Sequence, residues 1–134
     1  MKTLSLIAPC YNEAQNIRPF LEAVDTLAKS LKPNYAFELI AINDGSTDAT
    51  LPLLIAEQAN YPFLRVIDFS RNFGKEAALS AGLMHASGDA MIPIDADLQH
   101  PIDVIPQMIN LWEEGYEVVL AKRTNRNTDT PLPK

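Results

Sequence analysis

Five short apolar runs, each closed by a polar turn and separated from the next by a helix-like segment, constrain this chain more than anything else in it. The runs are Leu4-Ser5-Leu6-Ile7-Ala8, Phe37-Glu38-Leu39-Ile40-Ala41-Ile42-Asn43, Leu64-Arg65-Val66-Ile67-Asp68-Phe69, Ala90 to Ile94, and Glu117-Val118-Val119-Leu120-Ala121. Each has the length and composition of a strand. After the first, Ile17, Phe20, Leu21, Val24, Leu27, Ala28 and Leu31 recur at helical spacing. Leu51, Leu54 and Ile55 mark the inward face of a second helix. Lys75 to Ser87 reads as a third, rich in small residues, and Ile105, Met108, Ile109 and Trp112 mark a fourth. Strands alternating with helices predict an α/β fold, a mainly parallel sheet covered on both faces and joined by right-handed crossovers. A chain of 134 residues with 47% hydrophobic content is one domain with a real core.

Local signals set the expected boundaries. Pro9 stops the first strand. Asn16 caps the first helix, leaving Pro19 in its first turn, where a missing N–H costs little. Ser46 or Thr47 starts the second helix, and Pro52 predicts a distorted or late start. Gly88 ends the third helix, whose Ala77, Ala78, Ala81 and Gly82 allow close approach to a sheet or ligand. Gly115 closes the fourth. Trp112 is expected in core or edge packing. The reading divides the chain into a domain over 1–122 and a polar tail over 123–134, which lacks periodicity and is expected to fray.

A net charge of −6 argues against a non-specific nucleic-acid binder, which would show a basic face. It leaves room for an anionic ligand where a metal supplies local positive charge. The single cysteine, Cys10, has no internal disulfide partner, which suits a reducing compartment, and reads as a buried thiol. The first apolar run is too short for a signal peptide, and no stretch reaches the ~18–20 apolar residues of a membrane span. The chain as it stands is expected to be soluble.

The chemistry concentrates in Met91-Ile92-Pro93-Ile94-Asp95-Ala96-Asp97-Leu98-Gln99-His100-Pro101. An apolar run ends in two carboxylates one residue apart. Such a pair repels itself unless a cation lies between. Mg²⁺ or Mn²⁺, held by one or two carboxylates and completed by phosphate and water, answers that need. The alternative is a solvated turn with Asp97 or Asp103 capping the next helix. In a parallel sheet, ligands bind beyond the carboxyl ends of the strands. Tyr11-Asn12-Glu13, Asp44-Gly45 and Asp95-Ala96-Asp97 would converge there. Neither Gly-x-Gly-x-x-Gly nor Gly-x-x-x-x-Gly-Lys is present, which weighs against a nicotinamide or P-loop site.

Pro9-Cys10-Tyr11-Asn12-Glu13, Asn43-Asp44-Gly45-Ser46-Thr47-Asp48, Arg71-Asn72-Phe73-Gly74-Lys75, Asp95 to Pro101 and Val119-Leu120-Ala121-Lys122-Arg123 occur in that order. Together they resemble the N-terminal part of the family-2 inverting glycosyltransferases, in the polyprenyl-phosphate sugar transferase subgroup and nearest the bactoprenol glucosyltransferases. The resemblance covers nearly the whole chain. It implies the GT-A fold, a Rossmann-like three-layer sandwich truncated here at its C-terminus. It implies transfer of a hexose, glucose by the nearest match, from a nucleotide diphosphosugar such as a UDP-sugar to polyprenyl phosphate.

By resemblance, Pro9, Tyr11 and Glu13 hold the nucleoside, Asp44 reads the base, and Asp95 and Ala96 contact ribose and diphosphate. Lys75 and Arg71 are the implied helpers of the donor. Asp95, Asp97 and Gln99 are the implied ligands of Mg²⁺ or Mn²⁺. Asp97 and Arg123 are the implied catalytic residues, with Arg123 steering the acceptor phosphate. An anionic phosphate acceptor needs no general base, so neither His85 nor His100 has to act as one; His100 reads as a structural cap. Members of the family continue past the position of Lys134 into acceptor-binding and membrane-associated elements. The resemblance therefore implies a cytoplasmic domain of a protein at the cytoplasmic face of the inner membrane. Two rivals stand beside it: a transferase of the same fold acting on a sugar hydroxyl, and a non-catalytic nucleotide-binding or interaction module.

Overall fold

The computed structural model describes residues 1–31, 34–97, 102–118 and 132–133. Strand β1 (Lys2–Cys10) leads to helix α1 (Ala14–Leu31), β2 (Tyr35–Asn43), α2 (Thr50–Glu57) and β3 (Leu64–Asp68). Then come α3 (Lys75–His85), β4 (Ala90–Pro93), a 3-10 turn (Ile102–Val104), α4 (Ile105–Glu113), β5 (Tyr116–Val118) and β6 (Leu132–Pro133). The main sheet has the order β3-β2-β1-β4, and each neighbouring pair is parallel. The chain winds outward from β1 to β3, then returns to lay β4 against the other side of β1. That reversal opens a crevice at the carboxyl ends of β1 and β4.

Strand alternation sorts the side chains onto two faces. Leu4, Leu6, Ala8 and Cys10 share one face with Leu39, Ala41 and Leu64, packed against Phe20 and Leu21 of α1, Leu54 of α2 and Ile105 of α4. Ile7, Ile40 and Ile42 point the other way, onto Ala78 of α3. Three layers result, α1, α2 and α4 on one side of the sheet and α3 on the other. The third helix lies close because Gly82 has no side chain: a Cβ there would stand 2.4 Å from Ile7 Cγ2 and 2.9 Å from Ile42 Cδ1. Ala77, by contrast, faces solvent. The six expected apolar positions from Ile17 to Ala28 are all buried along α1. Trp112 packs partly buried against the core, with Lys2 Nζ 4.8 Å from its ring centre.

Several boundaries differ from expectation, each for a physical reason. Pro9 does not stop β1, which continues to Cys10. Ile7 accepts a bond from Ile94 N on the β4 side, at 2.9 Å, and Pro9 faces the same way by strand parity. The last β1–β4 pair is Ile7 with Pro93, so the missing N–H of Pro9 falls where β4 has already left. Asn16 is not the cap of α1. Glu13 O accepts from Asn16 N and Ile17 N at 2.8 and 3.1 Å, so the helix starts earlier and Pro19 lies in its second turn.

Helix α2 starts late, as Pro52 requires, but at Thr50 rather than after Ser46 or Thr47. Asp48 Oδ1 accepts from the Thr50 hydroxyl and takes the Thr50 N–H at 2.9 Å; the hydroxyl above all, with the N–H, draws the carboxyl of Asp48 below its usual range. Ile55 is 54% exposed rather than inward. Helix α3 ends at His85, before Gly88. Gly88 instead serves close packing on β1, since a Cβ would meet Ser5 Oγ at 2.4 Å. Strand β5 does not extend the main sheet: it pairs antiparallel with β6, formed from part of the expected fraying tail. Among the described residues, no helix is long and apolar enough to cross a membrane.

Candidate functional site

The carboxyl ends of β1, β2 and β4 meet around a cavity of about 240 Å³. From β1 and its turn come Pro9, Cys10, Tyr11 and Glu13. Asp44 follows β2, Lys75 opens α3, and Asp95, Ala96 and Asp97 follow β4. The alternation of β4 persists past its last pair: Ile94 and Ala96 are buried, 4% and 1% exposed, while Asp95 and Asp97 line the cavity. Apolar anchors on one side thus fix two carboxylates on the other. Lys75 Nζ donates to Asp95 Oδ1 at 3.0 Å. The Lys75 side chain is 71% exposed and that of Asp95 17%.

Asp44 is buried at the floor of this edge. Its Oδ1 accepts from Phe73 N at 2.8 Å, and its Oδ2 accepts from Gly74 N at 3.1 Å and Asn72 Nδ2 at 3.4 Å. The carboxylate therefore clasps the loop that carries Lys75. Gly45 makes the clasp possible. Its φ is +72°, and a Cβ would lie 2.2 Å from Asn72 N. On the opposite rim, Asn12 has φ +53°. Its Oδ1 accepts from Thr47 N at 2.8 Å and Asp48 N at 3.3 Å, while Asn12 N donates to Ser46 Oγ at 2.9 Å. Asp48 Oδ2 also accepts from Ala14 N at 3.2 Å, and Asn16 Nδ2 donates to Glu13 Oε1 at 2.8 Å. The turns after β1 and β2 are thus one hydrogen-bonded unit, which holds Tyr11 and Glu13 at the rim. Burial, with a smaller push from Glu13, raises the Cys10 thiol to about 12, so it stays protonated beside the cavity, as an inert thiol should.

Eight residues singled out from the sequence come together: Pro9, Tyr11, Glu13, Asp44, Lys75, Asp95, Ala96 and Asp97. Gln99, His100 and Arg123 lie outside the described residues. Arg71 does not line the cavity; its guanidinium carbon stands 4.7 Å from the Phe73 ring centre, and that ring meets Phe69 edge-on at 5.5 Å. Sequence reasoning missed Asn12 and Asn72 as the residues that tie the rim together. A polar residue able to adopt positive φ just after a strand was the available signal for Asn12; nothing local marked Asn72. A cavity of about 280 Å³ between β4 and α4 is slightly larger, but it joins Asp89 to apolar side chains such as Met91, Met108 and Trp112 and gathers no converging polar groups.

Among the described residues, no three His, Cys, Asp or Glu side chains assemble as a metal cage. The Asp95–Asp97 pair suits Mg²⁺ or Mn²⁺ all the same, because these ions take few protein ligands and fill their shell with water and phosphate oxygens.

The family model described as "Glycosyl transferase family 2" matches residues 5–134. The chain belongs to glycosyl transferase family 2. This family-2 chain is 50% identical to the bactoprenol glucosyl transferase of Shigella phage SfV over 131 residues, 98% of this chain and 42% of the relative. It therefore spans less than half the length of that curated relative. Among solved structures, it resembles a mannosyltransferase from Pyrobaculum calidifontis in complex with GDP-Man and Mn²⁺. There the TM-score is 0.69, with 25% identity over 87% of this chain and 33% of the other. It also resembles glucosyl-3-phosphoglycerate synthase from Mycobacterium tuberculosis in complex with UDP, with a TM-score of 0.62 and 27% identity, covering 88% of this chain and 42% of the other. These neighbours are GT-A glycosyltransferases, and the parallel sheet described above is that fold.

Proposed function

We propose that this family-2 chain is the donor-binding part of an enzyme that moves glucose from a UDP-sugar to polyprenyl phosphate with inversion. One observation carries the reading: the Asp95–Asp97 pair, Asp44, Tyr11 and Glu13 line one cavity at the crevice between β1 and β4. The kinship with a bactoprenol glucosyl transferase supports the acceptor and the sugar, and the UDP and GDP-Man complexes of the structural neighbours support a nucleotide donor.

The roles are those the family resemblance implies, and the shared cavity lining supports them. Tyr11, at the half-exposed rim, offers a ring face to the nucleoside, with Pro9 and Glu13 beside it. Asp44 has a lone pair beyond those given to Phe73, Gly74 and Asn72, and it takes a base N–H. Asp95 and Ala96 face the ribose and diphosphate. Asp95 and Asp97, joined in sequence by Gln99, would hold Mg²⁺ or Mn²⁺, which as a Lewis acid supplies charge stabilisation to the departing diphosphate. Arg123 steers the acceptor phosphate, whose own charge makes a general base unnecessary.

The test is titration of UDP into the protein with and without Mn²⁺, followed by Asp97→Ala. The reading expects metal-dependent UDP binding that weakens by about 10²-fold in the variant, the scale of several kcal/mol that a metal contributes to such a site. UDP binding indifferent to both metal and Asp97 would mark an interaction module instead.

A further inference from the structure

Lys75 is held in place by more than its own side chain. It is the first residue of α3, and the two residues before it, Phe73 and Gly74, give their N–H groups to Asp44 at 2.8 and 3.1 Å. Asp44 in turn follows β2, and Gly45 lets the two loops touch. The backbone therefore aims Lys75 across the cavity, where its Nζ reaches Asp95 Oδ1 at 3.0 Å. Asp95 is one of the two carboxylates assigned to the metal. An ammonium ion and a divalent cation at that oxygen exclude each other by charge and by space. The pair is also cheap to open, because the Lys75 side chain is 71% exposed and exposed ion pairs hold weakly.

We propose that Lys75 is a positioning residue that couples metal binding to nucleotide binding. Its ammonium opposes binding of a divalent ion on its own by occupying Asp95. A nucleotide diphosphate entering the same cavity offers the ammonium a second anionic partner and draws its charge off Asp95, away from the place of the metal. Metal and donor then bind as a unit. This inference rests on the reading of Asp95 and Asp97 as metal ligands, and it adds that a lysine enforces the order of events.

The experiment measures Mn²⁺ binding by calorimetry and by the Mn²⁺ spin-resonance signal, with and without UDP, for the wild type, Lys75→Met and Lys75→Arg. Lys75→Met should bind Mn²⁺ alone about three- to tenfold more tightly, since an exposed ion pair and its repulsion of the metal are both removed. The same variant should bind Mn²⁺ with UDP more weakly than the wild type. Lys75→Arg should keep the wild-type pattern. This opposite response with and without nucleotide is one that a merely structural lysine cannot produce, since misfolding would weaken both. Tighter Mn²⁺ binding that appears only with UDP, or no gain in Lys75→Met at all, overturns the coupling while leaving the donor site standing. A wild type that shows no Mn²⁺-dependent UDP binding overturns both readings.

Discussion

Glu38 is a charged side chain on the sheet face under α3, remote from the cavity, and its partners explain how it is tolerated. Ser5 Oγ donates to it at 2.5 Å, Arg65 Nη1 at 2.8 Å, Ser87 N at 2.6 Å and Ser87 Oγ at 3.0 Å. Burial pushes its carboxyl up, but these donors outweigh burial and bring it down from 4.5 to about 2. A depressed folded value stabilises the protein above the unfolded value and is lost as pH falls towards the folded one. The stability that Glu38 contributes, ~2–3 kcal/mol by linkage after allowance for partial exposure, is therefore complete above about pH 5 and fades between about pH 4.5 and pH 2. Urea midpoints measured at pH 6 and pH 3 should differ less in Glu38→Gln than in the wild type, and the variant should be the less stable at pH 6. Equal pH slopes in the two proteins would remove Glu38 from this role. In the sequence Glu38 is merely the polar interruption of an apolar run, because its partners lie 27 to 49 residues away in the chain. That Asp44 would stand at the carboxyl edge of the sheet was legible from its place after β2, but its grip on Phe73 and Gly74 was not, for the same reason.

At the level of elements, what periodicity can encode was readable and what another element supplies was not. The stripe of α1 and the cores of β1 to β4 lie where spacing put them, since burial of one face follows from local period alone. The ends moved. Helix α1 starts at Ala14 because Asp48, from the turn after β2, takes its N–H. Helix α2 starts at Thr50 for a reason within that same turn. Turns at the carboxyl edge of the sheet thus act as one piece, and Gly45 is where two of them touch. Gly45→Ala would place a methyl group 2.2 Å from Asn72 N and 2.3 Å from Arg71 C, on a residue with φ +72°. Backbone atoms cannot give way as a side-chain tip can, so the loss of stability should be about 2–4 kcal/mol, combining the left-handed penalty with overpacking. The urea midpoint measures it. Because the loop that must shift carries Lys75, UDP binding should weaken as well, and a variant as stable and as tight-binding as the wild type would show that the two loops do not need their contact.

Across the whole molecule, the cavity proposed for the donor lies on one edge of the main sheet, with Tyr11, Asp44 and Asp95 brought from three strand ends across 85 residues of sequence. The strands that aim these residues are packed on both faces, which holds the cavity's lining in place. Transfer asks for more. The acceptor phosphate must approach the donor's sugar to within reacting distance while its polyprenyl chain is held elsewhere, and the chain spans 42% of the relative whose name includes the acceptor. Positioning alone is worth about 10²-fold or more in rate, so the 134-residue segment should bind UDP with Mn²⁺ yet transfer glucose to polyprenyl phosphate at least ~100-fold more slowly than a polypeptide extended to the relative's length. Labelled UDP-glucose and polyprenyl phosphate in detergent micelles make the comparison. Equal rates from the two would mean that the acceptor is positioned by this edge of the sheet alone, and would place its phosphate beside Asp97 without help from anything beyond.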